Sequence, residues 1–318
     1  MFWQATSVWF LLAIVSPVAS CYAQENYPSK KCAVTQRIKS IARYDLDVTP
    51  GVAKPRQLLI ESDFYDRDGH NTQWRQYEGK DSTQYSTRTF SYDAEGHVIK
   101  TVDLSADKTD GTIDSTATDA KGRITYRRLS RPTGQVLVEA FLSTELNQHQ
   151  QPIKSLVFNK EKQLQGYTLF TYSAANKLVL EASYSAKNML EQQRTYSYYP
   201  TGPLKRTAEI KGTQDTVVIK NFTLDGLLAE EIHFDQEIHQ KSVDYKIVKK
   251  HDRQRREIEE LTYSNSFMPT RELTISRREV SQYGATCLKS KTLIYTSDLL
   301  TKQEKLQIIF TYLYAYYE

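Results

Sequence analysis

Charge is missing from the first 23 residues of this chain, and long Ala- or Leu-rich amphipathic stretches are missing from the rest. The first absence, with the apolar run Phe10 to Val15 and then Pro17 and small residues, is that of a secretory leader spanning residues 1–23. The run is too short to cross a bilayer, which takes about 20 helical residues. The leader also lacks the usual Lys or Arg ahead of its apolar run. The second absence removes the helical bundle from consideration. No Gly-x-Ser-x-Gly elbow, His-Glu-x-x-His helix, phosphate-cradling glycine loop or dinucleotide fingerprint occurs. No catalytic residue, cofactor or metal is therefore expected, and Asp and Glu are scattered rather than paired in a readable way. The net charge of +4 is spread over mixed signs, without the concentrated basic face of a nucleic-acid binder.

Cysteine is scarce, at three residues. Val18-Ala19-Ser20-Cys21 matches a bacterial lipobox, in which Cys21 becomes the lipidated N-terminus, while Cys21-Tyr22-Ala23 offers an ordinary small-x-small cleavage site before Gln24. The two sites compete, and the rarity and place of Cys21 favour lipidation. Membrane contact is then expected only through that lipid, with the protein in the periplasm, on the outer membrane or at the cell surface. Either cut leaves Cys32 and Cys287, which in an oxidising compartment are expected to form a bridge. Two cysteines make no zinc site.

What is abundant points to β-structure: 22 tyrosines and many Thr and Val. The stretch Thr89-Phe90-Ser91-Tyr92-Asp93-Ala94-Glu95-Gly96-His97-Val98-Ile99-Lys100 reads as strand, tight turn and strand. Asp93 opens a type I turn through its side chain, and Gly96 supplies the positive φ that closes a hairpin through a bulge. Copies start at Tyr65, Tyr92, Thr118, Tyr172, Tyr198 and Phe222, spaced by 27, 26, 54, 26 and 24 residues, and the double interval leaves room for an eroded copy near Leu146 to Pro152. Other turn signals lie between these, so turns alternate about every 12 to 14 residues, the spacing of consecutive antiparallel hairpins. The expectation is an all-β chain: a single domain over residues 24–318, made of roughly 16 to 20 strands in one antiparallel meander. Open twisted sheets seldom exceed about 10 strands, so this one is expected to curl into an open, curved shell with its more apolar face inside. Residues Gln24 to Lys31 read as a polar tether, and Leu306 to Tyr317 as a final strand.

The Tyr-Asp-x-x-Gly-x-apolar units, clearest at Tyr65 to Gly69, Tyr92 to Val98 and Thr118 to Ile124, resemble the YD repeats of RHS-type bacterial cell-surface and toxin-delivery proteins. The looser copies extend the likeness from Leu58 to Leu261. It implies a long β-sheet winding into a shell around cargo. This chain is far shorter than such a shell, and no toxin or autoproteolytic segment follows its repeats.

Four groups of side chains stand out, each with a plainer account. Asp66 and Asp68 have part of a calcium-loop pattern, but turn chemistry uses both. Glu231, His233 and Asp235 share one face of an extended strand, as zinc ligands would, yet a turn at Gln236 to Gln240 sends His239 elsewhere. Lys246, Lys249, Lys250, Arg253, Arg255 and Arg256 form a basic cluster with Glu257, Glu259 and Glu260 directly behind it, the pattern of a solvated hairpin. The tyrosines Tyr167, Tyr172, Tyr184, Tyr196, Tyr198 and Tyr199 suit either a sugar-binding ladder or cross-strand pairing within the sheet, with pairing favoured. No binding residue is assigned. The functional expectation is an exported, non-catalytic envelope scaffold for a protein or glycan partner. Two alternatives are an outer-membrane β-barrel, disfavoured by Arg127, Arg128, Glu139 and Glu181 charging both strand faces, and a periplasmic immunity partner of a toxin.

Overall fold

The computed structural model describes residues 30–47, 57–78, 83–121, 123–212, 215–234, 242–265, 273–284, 286–297 and 303–318. The leader with Cys21 lies outside them, as do Asp235 and His239. The end of the expected tether is a short helix, α1 (Lys30–Thr35). Twenty strands follow: β1 (Ile38–Asp47), β2 (Gln57–Tyr65), β3 (Asn71–Glu78), β4 (Gln84–Tyr92), β5 (Val98–Leu104), β6 (Gly111–Thr118), β7 (Ile124–Ser130), β8 (Val136–Leu146), β9 (Pro152–Phe158) and β10 (Leu164–Tyr172) make the first half. The second half is β11 (Leu178–Ser185), β12 (Leu190–Tyr198), β13 (Leu204–Lys211), β14 (Asp215–Phe222), β15 (Leu228–Phe234), β16 (Val243–His251), β17 (Glu257–Asn265), β18 (Leu273–Tyr283), β19 (Lys289–Ser297) and β20 (Glu304–Tyr316). The antiparallel meander and the final strand are as the sequence predicts.

The turns are built as the repeat implies. In the second copy Gly96 N–H donates to the Asp93 carbonyl at 3.1 Å and Asp93 N–H to the His97 carbonyl at 3.0 Å. The His97 N–H also donates to Asp93 Oδ1 at 2.7 Å, and Gly96 sits at φ 84°. The eroded copy is present: Gln150 N–H donates to the Asn147 carbonyl at 3.0 Å, with Gln150 in the left-handed region. Antiparallel order puts all these turns on one rim, and the other set of turns on the opposite rim.

The open shell is not what forms. β1 pairs antiparallel with β20 through nine partner positions, Ile38 to Tyr316 at one end and Asp47 to Ile308 at the other. The wall is thus a closed twenty-stranded barrel. Two causes act together. Every strand pairing except β3–β4 and β5–β6 carries a register shift, and each bulge adds local twist and bend. Closure also removes two edges of unpaired N–H and C=O groups, which an open sheet leaves exposed.

Pairing carries one face of each strand onto the same face of the next, so the wall has a single inside. Ionisable groups shifted by burial, among them Asp63, Glu279, Lys289 and Tyr312, share one face, as do the fully buried Thr168 and Ala140. That face is the concave one. It is the more charged of the two, which reverses the expected apolar interior. Barrels of about 16 to 18 strands already leave an aqueous channel, and contacts between strands here run between wall neighbours. Buried apolar side chains form three separate lateral clusters rather than one core.

At the repeat rim, tyrosines that close one copy reach sideways to the backbone of the previous one. Tyr92 donates to the Asn71 carbonyl at 2.6 Å, Tyr172 to Pro152 at 2.9 Å, Tyr198 to Leu178 at 2.8 Å and Tyr283 to Glu257 at 2.9 Å. Tyr317 does the same across the seam, to Tyr65. Cationic side chains add a second belt: Lys177 Nζ lies 5.0 Å from the Tyr198 ring centre and 3.1 Å from the Gly202 carbonyl. The Cys32–Cys287 disulfide forms as expected, across a sequence separation of 255 residues. It ties α1 to the turn before β19, beside buried Ile38, Ile41, Tyr65 and Leu288.

Removing one lock by Tyr198→Phe should cost about 1 kcal/mol, read as a lower urea midpoint with unchanged slope. Replacing both cysteines (Cys32→Ser with Cys287→Ser) should cost about 4 to 5 kcal/mol by the chain-entropy argument. Reductant should then destabilise the wild type and leave the variant unmoved.

Candidate functional site

The concave wall gathers the charge. Across neighbouring strands Arg43 meets Glu61, Arg127 meets Asp114, Lys220 meets Glu231 at 3.2 Å, and Arg194 meets Glu209 at 2.8 Å. Lys249 bridges Glu257 and Glu260, both at 2.8 Å. Tyr196, buried beside Arg194, donates to Glu181 at 2.7 Å, and burial together with the Glu181 charge pushes its hydroxyl pKa upward. Pairing of this kind lets an inward-facing wall hold many charges without leaving them unsatisfied.

A run of groups shifted by burial lies at the seam. Burial, reinforced by the charge of Glu61, raises Asp63 to about 6 against the hydrogen bond it accepts from Asn71 at 2.7 Å. Burial also raises Glu279 and lowers Lys289. Next to Asp63 in the wall stands Trp74, paired across β2–β3 with Asp63 and across β3–β4 with Arg88. Arg88 in turn holds Asp103, with Nε on Oδ1 at 2.5 Å and a second nitrogen on Oδ2 at 3.3 Å. Trp74 is half-buried, and among the described residues its ring and indole N–H have no hydrogen-bond, aromatic or cationic partner. Sequence reading missed this row because bulges in β1–β2 and β2–β3 move the strand parity that would place it.

The side chains singled out in the sequence are dispersed. Asp66, Asp68 and His70 offer ligand atoms within 4.8 Å of one another, and so do Asp93, Glu95 and His97. In each group the leading aspartate already accepts from the backbone N–H four residues on and from the histidine Nδ1. The equivalent position in two other copies is filled by Arg123 on Asp119 and Arg256 on Asp252. This is a turn with an internal cation partner, and a metal would have to displace it. Glu231 and His233 do share a face and touch at 2.7 Å, but His233 stacks on Tyr245 at 4.1 Å and Glu231 is held by Lys220. The basic cluster is split between the two faces and neutralised: Lys246 on Glu230, Lys249 on Glu257 and Glu260, Lys250 on Glu259. Of the tyrosines, Tyr172 and Tyr198 are rim locks, Tyr199 donates to the Phe222 carbonyl, and Tyr167 stacks on Tyr184 at 5.0 Å with Lys154 over its ring. Cross-strand ring pairing holds for Tyr167 and Tyr184, and hydrogen bonds to the backbone or to Glu181 engage the others.

No family model matches the sequence, and no curated protein matches it either. Among solved structures, a porin-like protein from Bacteroides uniformis is similar over 87% of this chain and 98% of its own, at 8% identity and a TM-score of 0.31. The TcdB2-TccC3 structure is similar over 81% of this chain and 21% of its own, at 9% identity and a TM-score of 0.21. A protein from Lactobacillus plantarum covers 87% of this chain at 10% identity and a TM-score of 0.21. Likenesses this loose carry no argument about fold or function.

A carboxyl group raised from 3.8 to about 6 by folding opposes the folded state once ionised. Below the unfolded value both states hold the proton and nothing is lost; as pH rises through about 6, stability on the order of 2–3 kcal/mol is lost. Asp63→Asn should therefore raise the unfolding temperature at pH 8 and leave it nearly unchanged at pH 4, as checked by thermal melts at both pH values.

Proposed function

We propose that this is an exported envelope protein whose hollow barrel works in water as a non-catalytic binding scaffold, not as a lipid-embedded channel. The observation that carries the reading is the chemistry of the convex face. Arg75, Arg128, Lys246 and Arg278 stand there in mid-strand, each on the opposite parity to the concave residues beside it. Whole strands of that face are polar, as in Thr87, Thr89 and Ser91 of β4 or Gln193, Thr195 and Ser197 of β12. A cation on the lipid side of a membrane barrel costs about 2–4 kcal/mol at the midplane, and here both cations and carboxylate partners such as Glu230 and Glu259 stand on that side. The Cys32–Cys287 bond supports an oxidising compartment. The paired charges of the concave wall are held by one another rather than poised for proton transfer, which supports a binding role over a catalytic one.

An outer-membrane barrel is the second reading. It is favoured by closure, by the even strand number and by the polar lumen. The two readings part in fractionation. With Cys21→Ala removing any lipid, an alkaline carbonate wash should release the barrel from membranes without detergent; retention until detergent is added would establish the membrane reading instead. Palmitate should label the wild type and not Cys21→Ala, and equal labelling would refute lipidation.

A further inference from the structure

The concave wall around Trp74 has the composition of a ligand site rather than of a structural contact. Trp74 is the sole tryptophan after Trp9. It stands half-buried on the concave wall, with no partner for its indole among the described residues. An aromatic of this size is ordinarily packed, and its N–H ordinarily finds an acceptor. Its lateral neighbours are directly opposed side chains, about 4.5 to 5.5 Å away at Cβ: Asp63 on one side and Arg88 on the other. Behind Asp63, Asn71 donates one hydrogen bond to that carboxylate and keeps its own carbonyl oxygen buried without a partner. Gln76, the next concave residue along β3, is exposed.

We infer that this stretch of β2, β3 and β4 binds a neutral oligosaccharide in the lumen. The electron-rich face of an indole attracts the polarised C–H bonds on the flat side of a pyranose. The flanking groups then divide the hydroxyls between them: carboxylate and amide oxygens accept, guanidinium and amide nitrogens donate. The charges select the class of ligand. Asp63 repels an anion, and Arg88, neutralised by Asp103, offers a donor rather than a net charge, so a neutral polyol that both donates and accepts satisfies both sides. Arg88 is kept in place by its two bonds to Asp103, so one of its nitrogens remains directed away from that pair. This inference rests on the reading of the barrel as a binding scaffold with an open lumen.

The test is tryptophan emission of the full-length protein titrated with maltoheptaose, cellohexaose and chitohexaose. At least one should give a saturable shift that vanishes in Trp74→Phe. Asp63→Asn and Arg88→Gln should each weaken the affinity about tenfold, the loss of one good hydrogen bond, while their circular dichroism and melting curves stay those of a folded barrel. A titration flat for all three sugars overturns the site, and so does an undiminished response in Trp74→Phe. Either failure leaves the soluble, lumen-bearing scaffold standing, because that reading is decided by the carbonate wash.

Discussion

The whole architecture depends on what happens at one rim, where a strand ends, a left-handed residue turns the chain, and the next strand starts one register step out. At Phe64/Tyr65, Ser91/Tyr92, Thr171/Tyr172, Ser197/Tyr198 and Gln282/Tyr283 the shift falls at the same place, beside the tyrosine. A bulge bends its strand and increases its twist. Repeating it in the same sense around the sheet makes the curvature accumulate, and tyrosine hydroxyls fasten four of the bent units to the backbone of the one before. Curvature and lateral attachment are thus two outcomes of one short motif.

Barrels of about 16 to 18 strands or more leave a lumen in general, and the composition of this wall suits one. The concave face carries charges paired across strands, which satisfy one another. The convex face carries more of the aliphatic side chains, mixed with Thr, Ser and scattered charges. Burial therefore comes from neighbours along the wall, as in the cluster of Phe170, Leu178, Tyr196, Leu204 and Phe222. Stability of this kind is local and additive along the sheet, in the manner of repeat proteins, until the two ends of the sheet meet.

Much of this was legible in the residues. The turn copies, the eroded unit at Asn147, the disulfide partners and the last strand follow from turn chemistry, spacing and cysteine count. Closure was not, because pairing between β1 and β20 is a contact between chain ends with no turn to announce it. The faces were not either: side-chain direction alternates with period two, and a bulge in nearly every pairing resets that alternation. Arg127 and Arg128 illustrate the consequence. They signalled charge on both faces, correctly, but only the register shows that Arg127 enters the lumen to meet Asp114 while Arg128 stands outside opposite Glu139. Trp74 was overlooked for the same reason.

The seam is the one junction in the barrel whose two strands are not consecutive in the chain, and its chemistry reflects that. Joining two ends of a flexible chain costs entropy that grows as roughly (3/2)RT ln n, so β1 and β20 meet at a larger cost than any hairpin. A disulfide with a separation of 255 residues removes much of that cost from the unfolded chain. It lies with the α1 cluster and the Tyr317 lock at the rim where the repeat turns also sit. At that rim turns join alternate pairs of neighbours and tyrosines fasten several of the others, and at the seam the covalent bond and the buried cluster take the place of the missing turn. Asp63, Lys289 and Tyr312, each shifted chiefly by burial, belong to this same sector. The seam is therefore held by a buried cluster and a covalent bond where local sequence supplies no turn.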